Sequence, residues 1–163
     1  MRRLLVYIVL AVALLGCKPR GEPPPAADKP YPEASADVAA LRDRGVAWTN
    51  AEVRAFYVRK VSAIAPANEQ WKKEGLASAD RARKAYQMRK DARLLARSMM
   101  TDAKDVEALR ARDQAKYGSP DGPTFEWLVS REQGKGLSGD AVYDAIVESA
   151  QRTDRAVNEA FGL

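Results

Sequence analysis

The sequence predicts an all-α fold, a compact bundle of six or seven helices. Three observations lead there: helix-capping residues recur at short intervals, apolar residues repeat at spacings of three and four, and no alternating Val/Ile/Thr run reads as a strand. The first helix carries the clearest start signal. Thr49 with Glu52 three residues later makes a capping box, and Trp48 with Val53 fits a hydrophobic staple across it, so a helix is expected from Asn50 to about Ala65, stopped by Pro66. Val53, Phe56, Tyr57, Val61 and Ile64 form its buried stripe. A short turn from Asn68 to Glu74, holding Trp71, closes at Gly75. Ser78 is then expected to cap the longest helix, which runs to roughly Met100.

Thr101, followed by Asp102 and Asp105, signals a new N-terminus, so a further helix is placed from Asp102 to Tyr117 and closed by Gly118. One bent helix is the competing reading, because no Gly or Pro lies between Asp80 and Tyr117 and the apolar phase continues across Thr101. The run Gly118-Ser119-Pro120-Asp121-Gly122-Pro123 is a turn cluster. Thr124 caps the helix after it, which carries Phe125, Trp127, Leu128 and Val129 and ends at Gly134 and Gly136. Leu137, before a Ser138 cap, pairs with Val142 in a second staple, opening a helix that carries Val142, Tyr143, Ile146 and Val147 to about Gln151. Thr153 caps a last short helix through Phe161, with Gly162 at its end. No repeat of fixed period is present.

The helical domain is assigned to residues 37–163, and two segments of different character precede it. Residues 1–16 open with Arg2-Arg3 and continue as an uncharged run from Leu4 to Gly16, the layout of a secretory signal peptide. The run is too short for a membrane-spanning helix, which needs about 20 apolar residues. Its end, Leu14-Leu15-Gly16-Cys17, resembles the lipobox of bacterial lipoproteins, where a small residue precedes the cysteine that receives diacylglycerol and begins the mature chain. Cys17 is the only cysteine. The resemblance implies signal cleavage there, lipidation of Cys17, acyl chains such as palmitate, and membrane attachment. Because Lys18 and not Asp follows the cysteine, it also implies the outer membrane, with the body facing the periplasm or the surface. It implies nothing about activity. Two alternatives remain at this level: Ala11-Val12-Ala13 as an ordinary cleavage site, and Cys17 as a free thiol beside an uncleaved anchor. Residues 17–36 then hold Pro19, Pro23, Pro24, Pro25, Pro30 and Pro32, a composition that favours an extended tether.

Composition narrows the chemistry. With no His and one Cys, the chain has no Ser-His-Asp triad, no imidazole base and no intrachain disulfide or thiolate cluster. No catalytic residue, metal ligand set or cofactor is assigned. From Lys72 to Arg97 there are nine Lys/Arg against three Asp/Glu, and on the long helix Arg83, Lys90, Arg93 and Arg97 fall opposite a seam of Ala85, Met88, Ala92, Leu95, Ala96 and Met99. These four cations are the candidate binding face, suited to an acidic protein or an anionic envelope component. Internal or solvated pairing is the simpler reading, since residues 118–163 carry eight acidic against four basic side chains. Nucleic acid is disfavoured for an exported chain of modest net charge, +5 before the leader is removed.

Asp113 lies on the apolar side of its helix, between Leu109 and Tyr117, and a structural salt bridge is the favoured account. If the two helices meet as an antiparallel hairpin near Thr101, its partner is Arg89. Glu52, Glu69, Asp121 and Glu126 are the acids available to a peptidoglycan-cleaving enzyme, but no spacing singles out a pair. Trp48, Trp71 and Trp127 read as core anchors before sugar platforms. The expected function is therefore a lipid-anchored, non-catalytic binding or structural module of the envelope. A glycan-cleaving enzyme and an inhibitor or immunity-type lipoprotein are the alternatives.

Overall fold

The computed structural model describes residues 48–161, and these form an all-α bundle. In chain order the helices are α1 Asn50–Ser62, α2 Ile64–Lys73, α3 Ser78–Met99, α4 Ala103–Tyr117, α5 Phe125–Gln133, α6 Asp140–Gln151 and α7 Thr153–Phe161. Because α1 and α2 meet at the single residue Ala63, they count as one kinked helix or two, matching the six or seven expected. The leader, Cys17, the tether and Gly162 lie outside the described residues.

Several boundaries follow the expected capping chemistry. Thr49 Oγ1 accepts from the Glu52 amide while the Glu52 carboxylate accepts from the Thr49 amide, closing the capping box that starts α1. The cap of α4 falls one residue beyond the expected Thr101: Asp102 accepts from the amides of Lys104 and Asp105, so α3 and α4 are two helices, separated by extended backbone at Met100 and Asp102. Thr124 accepts from the Trp127 amide at the start of α5. Gly118 ends α4 in the left-handed conformation at φ +72°, which a side chain there would strain.

Other boundaries move, and Thr153 is the first residue of α7 and not the cap before it. Pro66 does not stop a helix at Ala65: it sits in the first turn of α2, where its missing N–H costs nothing, and the break falls at Ala63. The turn expected over 68–74 is accordingly part of a ten-residue helix. Ser78 is the first residue of α3 and not its cap, because Ala77 takes the extended cap position. Ser138 yields the cap of α6 to Gly139, whose positive φ turns the chain into the helix.

The long helix α3 is the axis of the bundle. It packs along α6 and α1, while α7 covers α1, α5 lies on α6, and α2 touches α3. Four alanines of α3, at 82, 85, 92 and 96, are buried and let its neighbours approach closely. Larger side chains come from both sides: Tyr86, Leu95 and Met99 from α3, Val53, Phe56, Tyr57, Val61 and Ile64 from the first two helices, and Val142, Ile146 and Val147 from α6. Trp48 and Trp71 pack against this core half-buried.

Helix α4 is different. Its only fully buried residues are Leu109 and Asp113, and among the described residues it shares no extended packing face with another helix. A groove of about 370 Å³, flanked by Val53, Met100, Leu109 and Phe161, separates it from α1 and α7. Helix α4 must therefore be held mainly by individual contacts.

Tyr57 stands edge-on to Phe161 with ring centroids 5.6 Å apart, yet its buried hydroxyl has no protein hydrogen-bond partner among the described residues. A hydroxyl left unpaired in the core costs about 1–3 kcal/mol. Tyr57→Phe is expected to leave the thermal midpoint unchanged or to raise it. A midpoint lowered by several degrees in calorimetry would show that the hydroxyl is stabilising.

Candidate functional site

The strongest concentration of chemistry in the body is the arginine series on α3. Arg81, Arg89, Arg93 and Arg97 are all buried, which is unusual for a residue that carries its charge at every accessible pH. Arg89, Arg93 and Arg97 recur every four residues, so they lie along one slowly drifting stripe. Each reaches a different part of the molecule.

Arg81 ties α3 to α2 and α6, donating to Asn68 Oδ1 at 3.2 Å and pairing with Asp144 at 2.8 Å. Arg89 donates to the Ser149 carbonyl and to the Glu159 carboxylate, each at 2.6 Å. Arg97 donates to the Pro120 carbonyl at 3.0 Å, to Asp113 at 2.5 Å and, at 3.4 Å, to the Ala160 carbonyl. Arg112 on α4 completes the cluster, donating to Asp113 Oδ1 at 2.8 Å and to the Glu159 carbonyl at 2.7 Å.

The carbonyl acceptors have a common origin. Ser149 lies in the last turn of α6, and Glu159 and Ala160 lie in the last turn of α7, where carbonyls have no partner within their own helix. These ends also carry the negative pole of the helix dipole. Arginines of α3 and α4 therefore cap the C-termini of α6 and α7 from outside.

Arg93 closes on the turn instead. Its Nη1 donates to the Asp121 carbonyl at 3.2 Å, and the turn packs so tightly that a Cβ at Gly122, φ +101°, would collide with the guanidinium. Glycine is required there both for backbone conformation and for space.

Asp113 is buried as expected, but its partner is not Arg89. The extended link at Met100–Asp102 sends α4 away from an antiparallel hairpin, so residue 113 arrives beside Arg97 near the C-terminal end of α3. Arg97 and Arg112 engage one carboxylate oxygen each, while Arg89 takes Glu159 as its acid. The expected basic face is divided for the same reason. Arg93 and Arg97 are covered by the turn, α4 and α7, Lys90 is half-buried over the Tyr86 ring, and Arg83 alone of the four is fully exposed, resting on the Phe125 ring.

A second charged cluster secures α5 to α6. Glu132 is buried, accepting from Arg131 Nε at 2.7 Å and Lys135 Nζ at 2.7 Å, and Arg131 also reaches Ser149 Oγ at 3.3 Å. Burial pushes the Glu132 carboxyl upward, but the hydrogen bonds and charges of Lys135 and Arg131 outweigh it and hold the group below the usual glutamate range. Nothing in the local sequence distinguished this glutamate from a surface residue.

The acids considered for glycan cleavage sit on separate elements. Glu52 closes the α1 capping box, Glu69 pairs with Lys72 at 2.8 Å, Asp121 pairs with Arg110 at 3.1 Å, and Glu126 is exposed on α5. Trp127 stands edge-on to Tyr117 at 4.8 Å and bridges α4 to α5. No group of three or more Asp, Glu or Cys suited to a metal ion occurs among the described residues.

Comparison with family models, with curated proteins and with solved structures returned no match.

Two outcomes test this arrangement. Asp113→Ala removes the acid between two guanidinium groups and is expected to cost about 3–5 kcal/mol, with loss of hydrogen-exchange protection concentrated in α4. Uniform loss across the bundle, or none, would contradict the clamp. For Glu132 the folded pKa is depressed, so its contribution is complete above the unfolded value near 4.3 and is lost as pH falls through the folded value. The stability gap between the wild-type chain and Glu132→Gln should be constant above about pH 5 and narrow below about pH 4 in urea titrations.

Proposed function

We propose that this chain is a lipid-anchored envelope protein whose helical body acts as a binding or structural module and not as an enzyme. The observation that carries the reading is the sequence Leu14-Leu15-Gly16-Cys17, placed after Arg2-Arg3 and an uncharged run and containing the one cysteine of the chain. Each buried methylene contributes about 0.8 kcal/mol, so stable attachment takes more than one acyl chain, which a lipoprotein cysteine supplies. Lys18 after the cysteine directs the product to the outer membrane. The proline-rich segment to residue 36 then holds the body away from the bilayer, about 3.1 Å for each extended residue.

The reading of a non-catalytic body is supported by the separation of the candidate acids Glu52, Glu69, Asp121 and Glu126 on different elements. Buried arginines serve helix ends and internal acids, and Glu52, Glu69 and Asp121 are engaged by local partners. An acidic protein or anionic envelope component would meet Arg83 and its neighbours on the exposed side of α3. The inhibitor or immunity-type role is the same reading with a defined protein target.

The anchor is tested by metabolic labelling. The wild-type chain should incorporate palmitate and sediment with the outer membrane, while Cys17→Ala should lose the label completely and remain in its precursor form. Labelling of the Cys17→Ala chain at the wild-type level would overturn the assignment.

A further inference from the structure

Arg93 is the one member of the α3 series whose charge is left over. Its side chain is buried, 3% exposed, yet among the described residues it has no carboxylate partner, and its one hydrogen bond goes to a neutral carbonyl, Asp121 O. Its three counterparts each meet an acid: Asp144 for Arg81, Glu159 for Arg89 and Asp113 for Arg97. Isolating a buried cation costs several kcal/mol, and the like charges of Arg89 and Arg97, four residues away on either side, add to that cost.

The surroundings offer a remedy. Arg93 lines a small cleft together with Arg89, Lys90 and Arg131, floored by apolar side chains including Leu128 and Ile146. Glu159 is the one acid in its wall, and it already accepts from Arg89 at 2.6 Å. Arg131 is likewise engaged by Glu132. Arg93 alone therefore faces the cleft without an acid of its own among the described residues, and over a floor of low polarity its field is screened weakly by water. The space open to the centre of a water-sized sphere is about 20 Å³. That holds one particle the size of a water molecule, since about 10–15 Å³ on this measure is needed for each. It does not admit a nucleotide or a sugar phosphate.

We propose that this cleft binds one compact monovalent anion of halide size against the Arg93 guanidinium. The anion supplies the counter-charge that the chain itself withholds from Arg93, and it links the turn at Asp121–Gly122 to α3, α5 and α6. This inference is independent of lipidation and holds whether or not the envelope reading does.

The test is thermal unfolding of the full chain at fixed ionic strength, with chloride replaced stepwise by gluconate, which is too large for the cleft. Fixed ionic strength keeps the screening of all other charges constant. The wild-type chain should gain roughly 5 °C at a ten-fold excess of chloride over its Kd, rising further with the logarithm of chloride concentration. Arg93→Met, which keeps the packing and removes the charge, should show no difference between chloride and gluconate. Formate, with three heavy atoms, should raise the midpoint less than chloride does; an equal or larger rise with formate would overturn the assignment to a halide-sized ion. Because Arg93→Met also loses the bond to the turn, chloride-35 line broadening by the wild-type chain provides a second measure that needs no variant. Equal midpoints in chloride, formate and gluconate, a chloride effect surviving in Arg93→Met, or line broadening no greater than that of the denatured chain would each overturn the proposal.

Discussion

The structure depends on carrying four guanidinium groups into the interior on a single helix. A buried charge without partners would cost more than most of the apolar contacts around it contribute, so the positions of α6, α7 and the 118–123 turn are constrained by what Arg81, Arg89, Arg93 and Arg97 require. The solution joins two deficits. Helix C-termini leave carbonyls without partners, and arginine offers five donors and no acceptor. Placing the last turns of α6 and α7 against Arg89, Arg97 and Arg112 satisfies both sets of groups at once. Lysine could not replace these residues, because its point charge lacks the planar fork that serves a carbonyl and a carboxylate together.

Two kinds of cohesion follow, and they occupy different regions. Helices α1, α3, α6 and α7 are held by a continuous apolar core in which small residues of α3 face large ones of its neighbours. Helix α4, the turn and the end of α5 are secured by Asp113, the carbonyls of Pro120 and Asp121, and Glu132. The first kind is non-directional and tolerates small shifts, whereas the second needs specific geometry and, at Glu132, responds to acid. Local opening is therefore expected first at α4, where the groove toward α1 leaves little apolar surface to separate.

This division bears on function through charge. Much of the local positive excess between Lys72 and Arg97 is internal, so it cannot be counted as a surface for an anionic partner. The acidic stretch 118–163 supplies Asp144 and Glu159 as counter-ions to α3, leaving a surface less basic than the sequence interval suggests.

Local chemistry was legible in the sequence wherever a few adjacent residues settle it. The Thr49–Glu52 box, the Thr124 cap, the glycine at 118 and the buried stripe of α1 could all be read directly, because each depends on neighbours within about one helical turn. Pro66 was read correctly as a disturbance and misplaced by one turn, since its ring acts on the carbonyl four residues back. The fate of the α3 arginines was not legible. Periodicity showed which side of α3 packs, but whether a loop and a seventh helix return to cover the opposite side depends on contacts between residues 23 to 70 apart in the chain. Sequence alone thus determined an all-α body and the nature of its helix ends. The tertiary structure decided that Arg89, Arg93 and Arg97 lie inward while Arg83 stays exposed, because burial and partner choice are properties of where distant segments meet.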